Sequence, residues 1–302
     1  MDRIIKNGKL RATITRQLPG YAFLLPGFAF IAAFMGYPLF YSLYLSFMQY
    51  NFAFDPAPVF IGVKNFVDMF SDRMFMDAFR NTIVFSVIFF PVIMVLSLTI
   101  AIMLDRGIRG SGFFRTCIFL PVVIPLSLSG VIFQWILHRD YGLLNFFLAD
   151  VLGLTWLSKD WLGSPSTAMF SIIFVSVWKF VGILVIFFMA GLQAIPGDLY
   201  EAATVDGASA WQRLIRITLP NLRESYVVCG IWAIIQSVKV FEQPFIMTNG
   251  GPGTSTLVLY QYTWINAFKH LEMGYASTIA YFMGVIILAL SAINIWLNRE
   301  ND

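Results

Sequence analysis

Residues 191–220 read GLQAIPGDLYEAATVDGASAWQRLIRITLP, a stretch of mixed polarity between two apolar runs. Pro196 and Asp198 favour the start of a helix, which residues 199–205 continue. Asp206 and Gly207 form a turn signal. The stretch is therefore predicted to fold as two short helices joined by a tight turn, an elbow with small residues near its tip.

The second helix of the elbow is predicted to begin after Ser209, which is suited to cap it, and to end at Pro220. Its apolar side chains are predicted to point inward: Trp211, Leu214, Ile215 and Ile217. Long loops in compact proteins are usually functional or disordered. On the residues alone, a functional elbow and a merely ordered connection are both open.

Composition places the chain in a membrane. Of its 302 residues, 58% are hydrophobic and 12% charged, with a mean hydropathy of +0.74. A soluble domain carries roughly a quarter charged residues. About 20 apolar residues cross the hydrocarbon core as a helix, and six segments qualify: 21–47, 81–104, 116–137, 168–192, 225–248 and 273–298. The prediction is an all-α integral membrane protein with six transmembrane helices.

Positive charge predicts the orientation. With the N-terminus inside, twelve Lys and Arg residues fall in cytoplasmic segments and six in outer loops. Residues 1–20 are thus predicted to be a cytoplasmic tail, the loop 193–222 to be cytoplasmic, and the C-terminus to lie inside. The first apolar run is too long for a cleaved signal peptide. Apolar residues spaced from Phe66 to Phe79 predict an amphipathic helix on the outer membrane face.

Seven positions of the elbow resemble the signature of permease subunits of binding-protein-dependent ABC importers. That signature reads Glu-Ala-Ala, three residues, Gly, nine residues, Ile, one residue, Leu-Pro. This chain matches every spacing with Glu201, Ala202, Ala203, Gly207, Ile217, Leu219 and Pro220. The resemblance implies the type I ABC importer permease fold, in which the elbow is a coupling helix that sits on a cytoplasmic ATPase subunit. Asp206 and Ala208 flank the glycine and are included in this candidate coupling site.

Further stretches are similar to the carbohydrate branch of that family, which includes maltose and glycerol-3-phosphate permeases. They include Leu25-Pro26, Tyr37-Pro38, Trp178-Lys179 and the run from Thr248 to Pro252. The resemblance covers about residues 20 to 295. It implies a bacterial-type inner membrane protein that works with a homologous second permease, two cytoplasmic ATPase subunits and an extracytoplasmic solute-binding protein.

Ionisable and strongly polar groups within a span are expensive, so they are functional candidates. The candidate solute path comprises Trp178, Lys179, Gln236, Lys239, Glu242 and Gln243. Amide groups and an indole at mid-depth suit the hydroxyls and apolar face of a sugar. The alternative is that the ions only hold the bundle in register, with Glu242 paired to Lys239 or to Lys179.

Several signals are missing from the sequence. It has no Gly-rich loop ending in Gly-Lys-Ser/Thr, no nucleophile–base pair and no Cys or His at metal-ligand spacing near Cys117 or Cys229. The chain is therefore predicted not to be an enzyme and to bind no metal or cofactor, with ATP and Mg²⁺ on partner subunits. Nothing in it indicates a nucleic-acid partner. A stand-alone sugar transporter driven by an ion gradient is the alternative function.

Overall fold

The computed structural model of the chain describes residues 23–105, 107 and 110–298. The predicted tail, residues 1–20, lies outside this range. Within it, five helices are long and apolar enough to cross a membrane, and a bent pair of shorter helices makes a sixth span if the pair counts as one. The six predicted spans are compatible with this count.

The helices and strands of the described residues have the following bounds. In chain order they are α1 (Phe23–Ser46), β1 (Met48–Gln49), β2 (Val59–Phe60), α2 (Lys64–Asp68), α3 (Arg73–Asp105), α4 (Ser111–Val123), α5 (Leu126–Ile136), α6 (Leu143–Phe146), α7 (Ala168–Ala194), α8 (Gly197–Val205), α9 (Ala210–Arg213), α10 (Arg223–Val238), α11 (Glu242–Thr248), α12 (Leu259–Trp264) and α13 (Met273–Leu297). A π-helical turn and a short α-turn extend α9 to Asn221.

The third predicted span is not one helix. It is divided into α4 and α5, whose axes are bent by 103° at the break. Ile124 and Pro125 have extended backbone angles there, with ψ values of 131° and 140°. Pro125 explains the break, because its ring disfavours a helical conformation at the preceding residue and it has no N–H to donate. Pro121 lies one turn earlier, inside α4.

The second and fifth spans also differ from their predicted bounds. α3 begins at Arg73, so Phe75 and Ala78 belong to this long helix, where both are fully buried. Only α2 is left as a separate short helix in the predicted surface segment, because the later apolar residues, Phe75 and Ala78, pack in the core as part of α3. The fifth span stops at Val238 and resumes at Glu242, with Lys239 as the C-terminal cap of α10.

The core lies between α3, α7 and α10. α3 packs along α7 and α10, while α13 packs against α10 and α1. Phe85 and Phe89 stack one turn apart on α3, with ring centroids 5.3 Å apart, and Phe188 of α7 is likewise fully buried. α1 is peripheral, and many of its large apolar side chains are exposed. This apolar exterior suits contact with lipid or with another membrane subunit.

The end of the bundle opposite the elbow is joined by polar contacts. β1 and β2 form a short antiparallel hairpin, in which Met48 lies opposite Phe60. Asp72, just before α3, accepts hydrogen bonds from the hydroxyls of Tyr262 (2.5 Å) and Tyr275 (2.8 Å). Burial pushes the pKa of Asp72 up, but these bonds and those from two backbone N–H groups outweigh it, so the pKa is lowered.

Candidate functional site

The turn of the elbow explains the spacing between Ala203 and Gly207. The N–H of Ala208 donates to the carbonyl of Ala203 at 2.9 Å, and the N–H of Gly207 donates to the carbonyl of Thr204 at 3.1 Å. These two bonds are the Schellman arrangement that closes a helix C-terminus. Gly207 has φ +73°, a left-handed conformation that glycine adopts without steric cost. The motif glycine is thus the residue that stops α8 and turns the chain.

The second half of the elbow starts with a capping box. The Ser209 hydroxyl accepts the N–H of Gln212 at 3.3 Å, and the Gln212 side chain accepts the N–H of Ser209 at 2.8 Å. The two halves are then tied together, since the Tyr200 hydroxyl lies 3.0 Å from that of Thr218. The predicted cap at Ser209 is confirmed by these bonds.

The predicted inward direction of two side chains on the second half is wrong. Trp211 is 68% exposed and Ile215 is 45% exposed, although both are large and apolar. They are four residues apart, so they lie on the same side of the helix. Val205 at the end of α8 is 88% exposed. The elbow therefore presents apolar side chains outward, away from the rest of the described chain.

The motif residues lie around this exposed surface. The exposed members of the set are Glu201, Ala202, Asp206, Gly207 and Pro220. The half-buried members are Ala203, Ala208, Ile217 and Leu219. A cavity of about 520 Å³ is lined by residues of the elbow and of the end of α3, including Arg213 and Asp105. The structure thus brings all nine candidate coupling residues into one short helical hairpin.

Lys179 lies midway along α7 and is only 5% exposed. Its ammonium donates to the backbone carbonyls of Pro121 at 2.6 Å and Val122 at 3.2 Å, and also to the carbonyl of Ile124. These carbonyls belong to the broken end of α4. Sequence reasoning singled out Lys179 but assigned it a carboxylate or solute partner.

The other candidate path residues lie near α10 and α11. Trp178 packs edge-on against Phe133 of α5, with centroids 4.9 Å apart. Gln236 and Glu242 are half-buried and Lys239 is exposed. Gln243 is 1% exposed, and its Nε2 has no hydrogen-bond partner in the part of the chain that the structure describes.

The alternative in which Glu242 pairs with a lysine is wrong. Within the described residues, Glu242 forms no ion pair with Lys239 or with Lys179. The physical reason for the first is the interruption after Val238, which removes the continuous helix on which residues 239 and 242 would share a face. The reason for the second is that backbone carbonyls already surround the Lys179 ammonium.

Sequence reasoning missed Gln261 on α12. This side chain is fully buried, and neither its amide nitrogen nor its amide oxygen has a partner in residues 23–105, 107 and 110–298. It lies beside Gly250, in the loop that also contains the matched Thr248–Pro252 run. Asn81 of α3 holds the same loop through the carbonyls of Thr254 (2.6 Å) and Leu257 (2.9 Å). Gln261 stands among apolar and aromatic residues, and its position in the sequence alone does not show which side of α12 it occupies, so its burial is revealed by the fold.

A family model described as "Binding-protein-dependent transport system inner membrane component" matches residues 93–300, more than half of the chain and all of the elbow. The chain belongs to this family. It is therefore a multi-pass membrane permease component of an ABC transport system and not an enzyme. Membership in an ATP-driven family disfavours the alternative of an ion-driven transporter.

Named relatives and a solved structure agree with this assignment. The probable ABC transporter permease protein YurN of Bacillus subtilis is 39% identical, over 90% of this chain and 92% of its own. The sulfoquinovosyl glycerol transport system permease protein SmoG of Agrobacterium fabrum is 34% identical, over 92% and 90%. A chain of a bacterial alginate ABC transporter, crystallised with an alginate pentasaccharide-bound periplasmic protein, superposes with a TM-score of 0.84. It covers 96% of this chain and 97% of its own, and at 24% identity it shows the shared fold.

Proposed function

We propose that this chain is the permease of an ATP-driven carbohydrate importer and forms half of the translocation path beside a homologous second permease. The observation that carries the proposal is the elbow, where all seven signature positions fall in one exposed, capped helical hairpin within the residues matched by the family model. The SmoG relative is named for transport of a sulfoquinovosyl glycerol, a glycoside. The carbohydrate-branch motifs elsewhere in the chain support the same solute class.

In this proposal the elbow docks on one of two cytoplasmic ATPase subunits, which hold ATP and Mg²⁺. Val205, Trp211 and Ile215 are apolar and exposed, a combination that marks protein contact surfaces when it occurs outside lipid. Trp is also among the residue types enriched at the energetically dominant positions of protein interfaces. Both chain termini then lie in the cytoplasm, in line with the excess of Lys and Arg on that side.

The proposed solute path runs beside α10, α11 and the middle of α7. Its candidate residues are Trp178, Gln236, Lys239, Glu242 and Gln243. An exposed Lys239 and a half-buried Glu242 inside a span would cost several kcal/mol against lipid, which favours a water-filled cavity next to them. Lys179 borders this region, but its ammonium is engaged by backbone carbonyls.

Stimulation of ATP hydrolysis tests the solute class. The complete complex is purified through a tag on this chain, reconstituted into vesicles, and mixed with its solute-binding protein and a panel of glycosides, polyols and amino acids. At least one glycoside is expected to stimulate hydrolysis, and amino acids are not. Stimulation by amino acids alone would refute the carbohydrate assignment and leave the ABC permease assignment intact.

Two glutamine variants test the path. Gln236→Ala and Gln243→Ala each remove an uncharged hydrogen-bonding group, worth about 0.5–1.5 kcal/mol or roughly 2- to 12-fold in apparent affinity. Ser237→Ala is the matched control, because the buried hydroxyl of Ser237 is bonded to the carbonyl of Ile234 in its own helix at 2.9 Å. If both glutamine variants transport with the affinity and rate of the control, these side chains do not contact the solute.

A further inference from the structure

The ammonium of Lys179 acts as a cap for a broken helix within the membrane-spanning region. A helix that stops leaves its last carbonyls without N–H partners, and in the absence of water each such group is costly. The break at Ile124 and Pro125 creates this situation in the middle of the third span. An ammonium group carries three N–H donors, and here they reach the carbonyls of Pro121, Val122 and Ile124.

Charge and packing favour the same arrangement. The C-terminal end of a helix carries about half a negative charge, which offsets the positive charge of Lys179 without a carboxylate. One turn further along α7, Gly182 lets α4 approach closely, since a Cβ at that position would lie 2.6 Å from the carbonyl oxygen of Ile118. α7 thus contacts the end of α4 both through the lysine and through backbone proximity.

The position of α5 depends on this break, and α5 borders the proposed solute path. Phe133 of α5 contacts the indole of Trp178. α5 also packs closely on α11, where a Cβ added at Gly130 would lie 3.0 Å from the Cγ2 atom of Ile246. A change in the angle between α4 and α5 would therefore move the residues of α5 that contact Trp178 and α11.

We propose that Lys179 is a positioning residue that holds the break between α4 and α5 and thereby sets the shape of the solute path. It does so through backbone carbonyls and makes no contact with the solute. The link to transport rests on the proposed function, whereas the link to the angle of the break does not.

A distance measurement tests the angle directly. Cys117 of α4 is exposed, as is Trp135 of α5, so a spin label on Cys117 and one on Trp135→Cys report across the break. Cys229, which is buried, is replaced by alanine. Eighteen residues of straight helix would separate the two Cα atoms by about 27 Å, and a bend of 103° at the break shortens this to about 17 Å. The labelled complete complex is first shown to be active in uptake.

Lys179→Met removes all three donors, and Lys179→Gln keeps two on a shorter side chain. We expect the distance distribution to broaden towards about 27 Å in the Met variant and by a smaller amount in the Gln variant. Uptake is expected to fall at least about tenfold in the Met variant while the complex still assembles. Ser176→Ala, one turn earlier on α7, is the control, because the Ser176 hydroxyl donates to the carbonyl of Ile172 in its own helix at 2.8 Å.

The following outcomes would contradict the proposed role of Lys179. A distribution near 27 Å in the unmodified chain, or an unchanged one in the Met variant, would overturn the capping role. If the Met variant does not assemble, an unchanged distribution in the Gln variant would have the same force. Normal uptake despite a broadened distribution would overturn the link to transport. The distance does not depend on which solute is carried, so an error in the carbohydrate assignment would leave the angle measurement valid.

Discussion

Replacing Gly207 by leucine separates the shape of the elbow from its proposed contact with an ATPase. Apart from its two chain neighbours, no described residue has an atom within 4 Å of a Cβ built on Gly207, so a larger side chain meets open space there. The cost inside the chain is therefore limited to backbone strain. A left-handed conformation costs a non-glycine residue about 1–2 kcal/mol, which is small against the roughly 5–15 kcal/mol that stabilises a folded protein.

The leucine is expected to act mainly between subunits. Its side chain would project from the tip of the elbow, where the family resemblance places a groove of the ATPase. The same 1–2 kcal/mol reduces the population of the closed turn by a factor of about 5–30. We expect uptake to fall at least about tenfold, and the stimulation of ATP hydrolysis by solute to be lost, with unchanged amounts of assembled permease.

Gly153→Leu is the matched control. Gly153 is also exposed and has φ +67°. Beyond its chain neighbours, no residue that the structure describes has an atom within 4 Å of an added Cβ, but Gly153 lies in the loop between α6 and α7. The assay compares solute uptake and stimulated ATP hydrolysis in vesicles that hold equal amounts of each complex. Normal uptake with Gly207→Leu, or an equal loss with Gly153→Leu, would refute the coupling role of this turn.

Three further predictions follow from composition, packing and charge. Vesicles that hold only this chain are expected to show neither ATP hydrolysis nor ATP-dependent uptake, since its sequence has no phosphate-binding loop; measurable uptake there would contradict the multi-subunit account. Phe188→Ala is expected to cost about 3–5 kcal/mol of stability, whereas Phe170→Ala, exposed on the same helix, should leave the melting temperature nearly unchanged. Asp72→Asn is expected to lower the melting temperature at neutral pH. Because the pKa of Asp72 is lower in the folded than in the unfolded chain, its carboxylate stabilises the fold at any pH above the unfolded pKa of about 4. The difference in melting temperature from the unmodified complex should therefore shrink as the pH falls below about 4 and vanish below the folded pKa, and a difference that stays constant would contradict this.

The elbow could be predicted closely because its signals are local. The Schellman turn at Gly207 and the capping box at Ser209 each involve residues at most five positions apart. Such short-range chemistry can be read from sequence without knowing the fold. The outward direction of Trp211 and Ile215 could not, because an apolar residue on a loop helix faces either its own chain or a partner, and the sequence does not distinguish the two.

The interior of the bundle was less predictable. Pro121 and Pro125 indicate a kink, but the size of the bend depends on what stabilises the released carbonyls. That stabilising group is Lys179, which is 55 to 58 residues away from them in the sequence. The partner of this buried lysine is set by the packing of α4 against α7, whereas the sequence offered Glu242, a carboxylate on another span, as its alternative partner. The burial of the Gln261 amide also depends on tertiary packing, here of α12 against the loop that contains Gly250.

Uptake into vesicles that enclose ATP tests whether ATP hydrolysis drives import of a carbohydrate through this permease. The complete complex is reconstituted with its ATPase subunits facing the lumen, and the binding protein and a labelled glycoside that stimulates ATP hydrolysis are added outside. The glycoside is expected to accumulate only when hydrolysable ATP is enclosed, and not when a sodium or proton gradient is the sole source of energy. Accumulation driven by an ion gradient without ATP would contradict this.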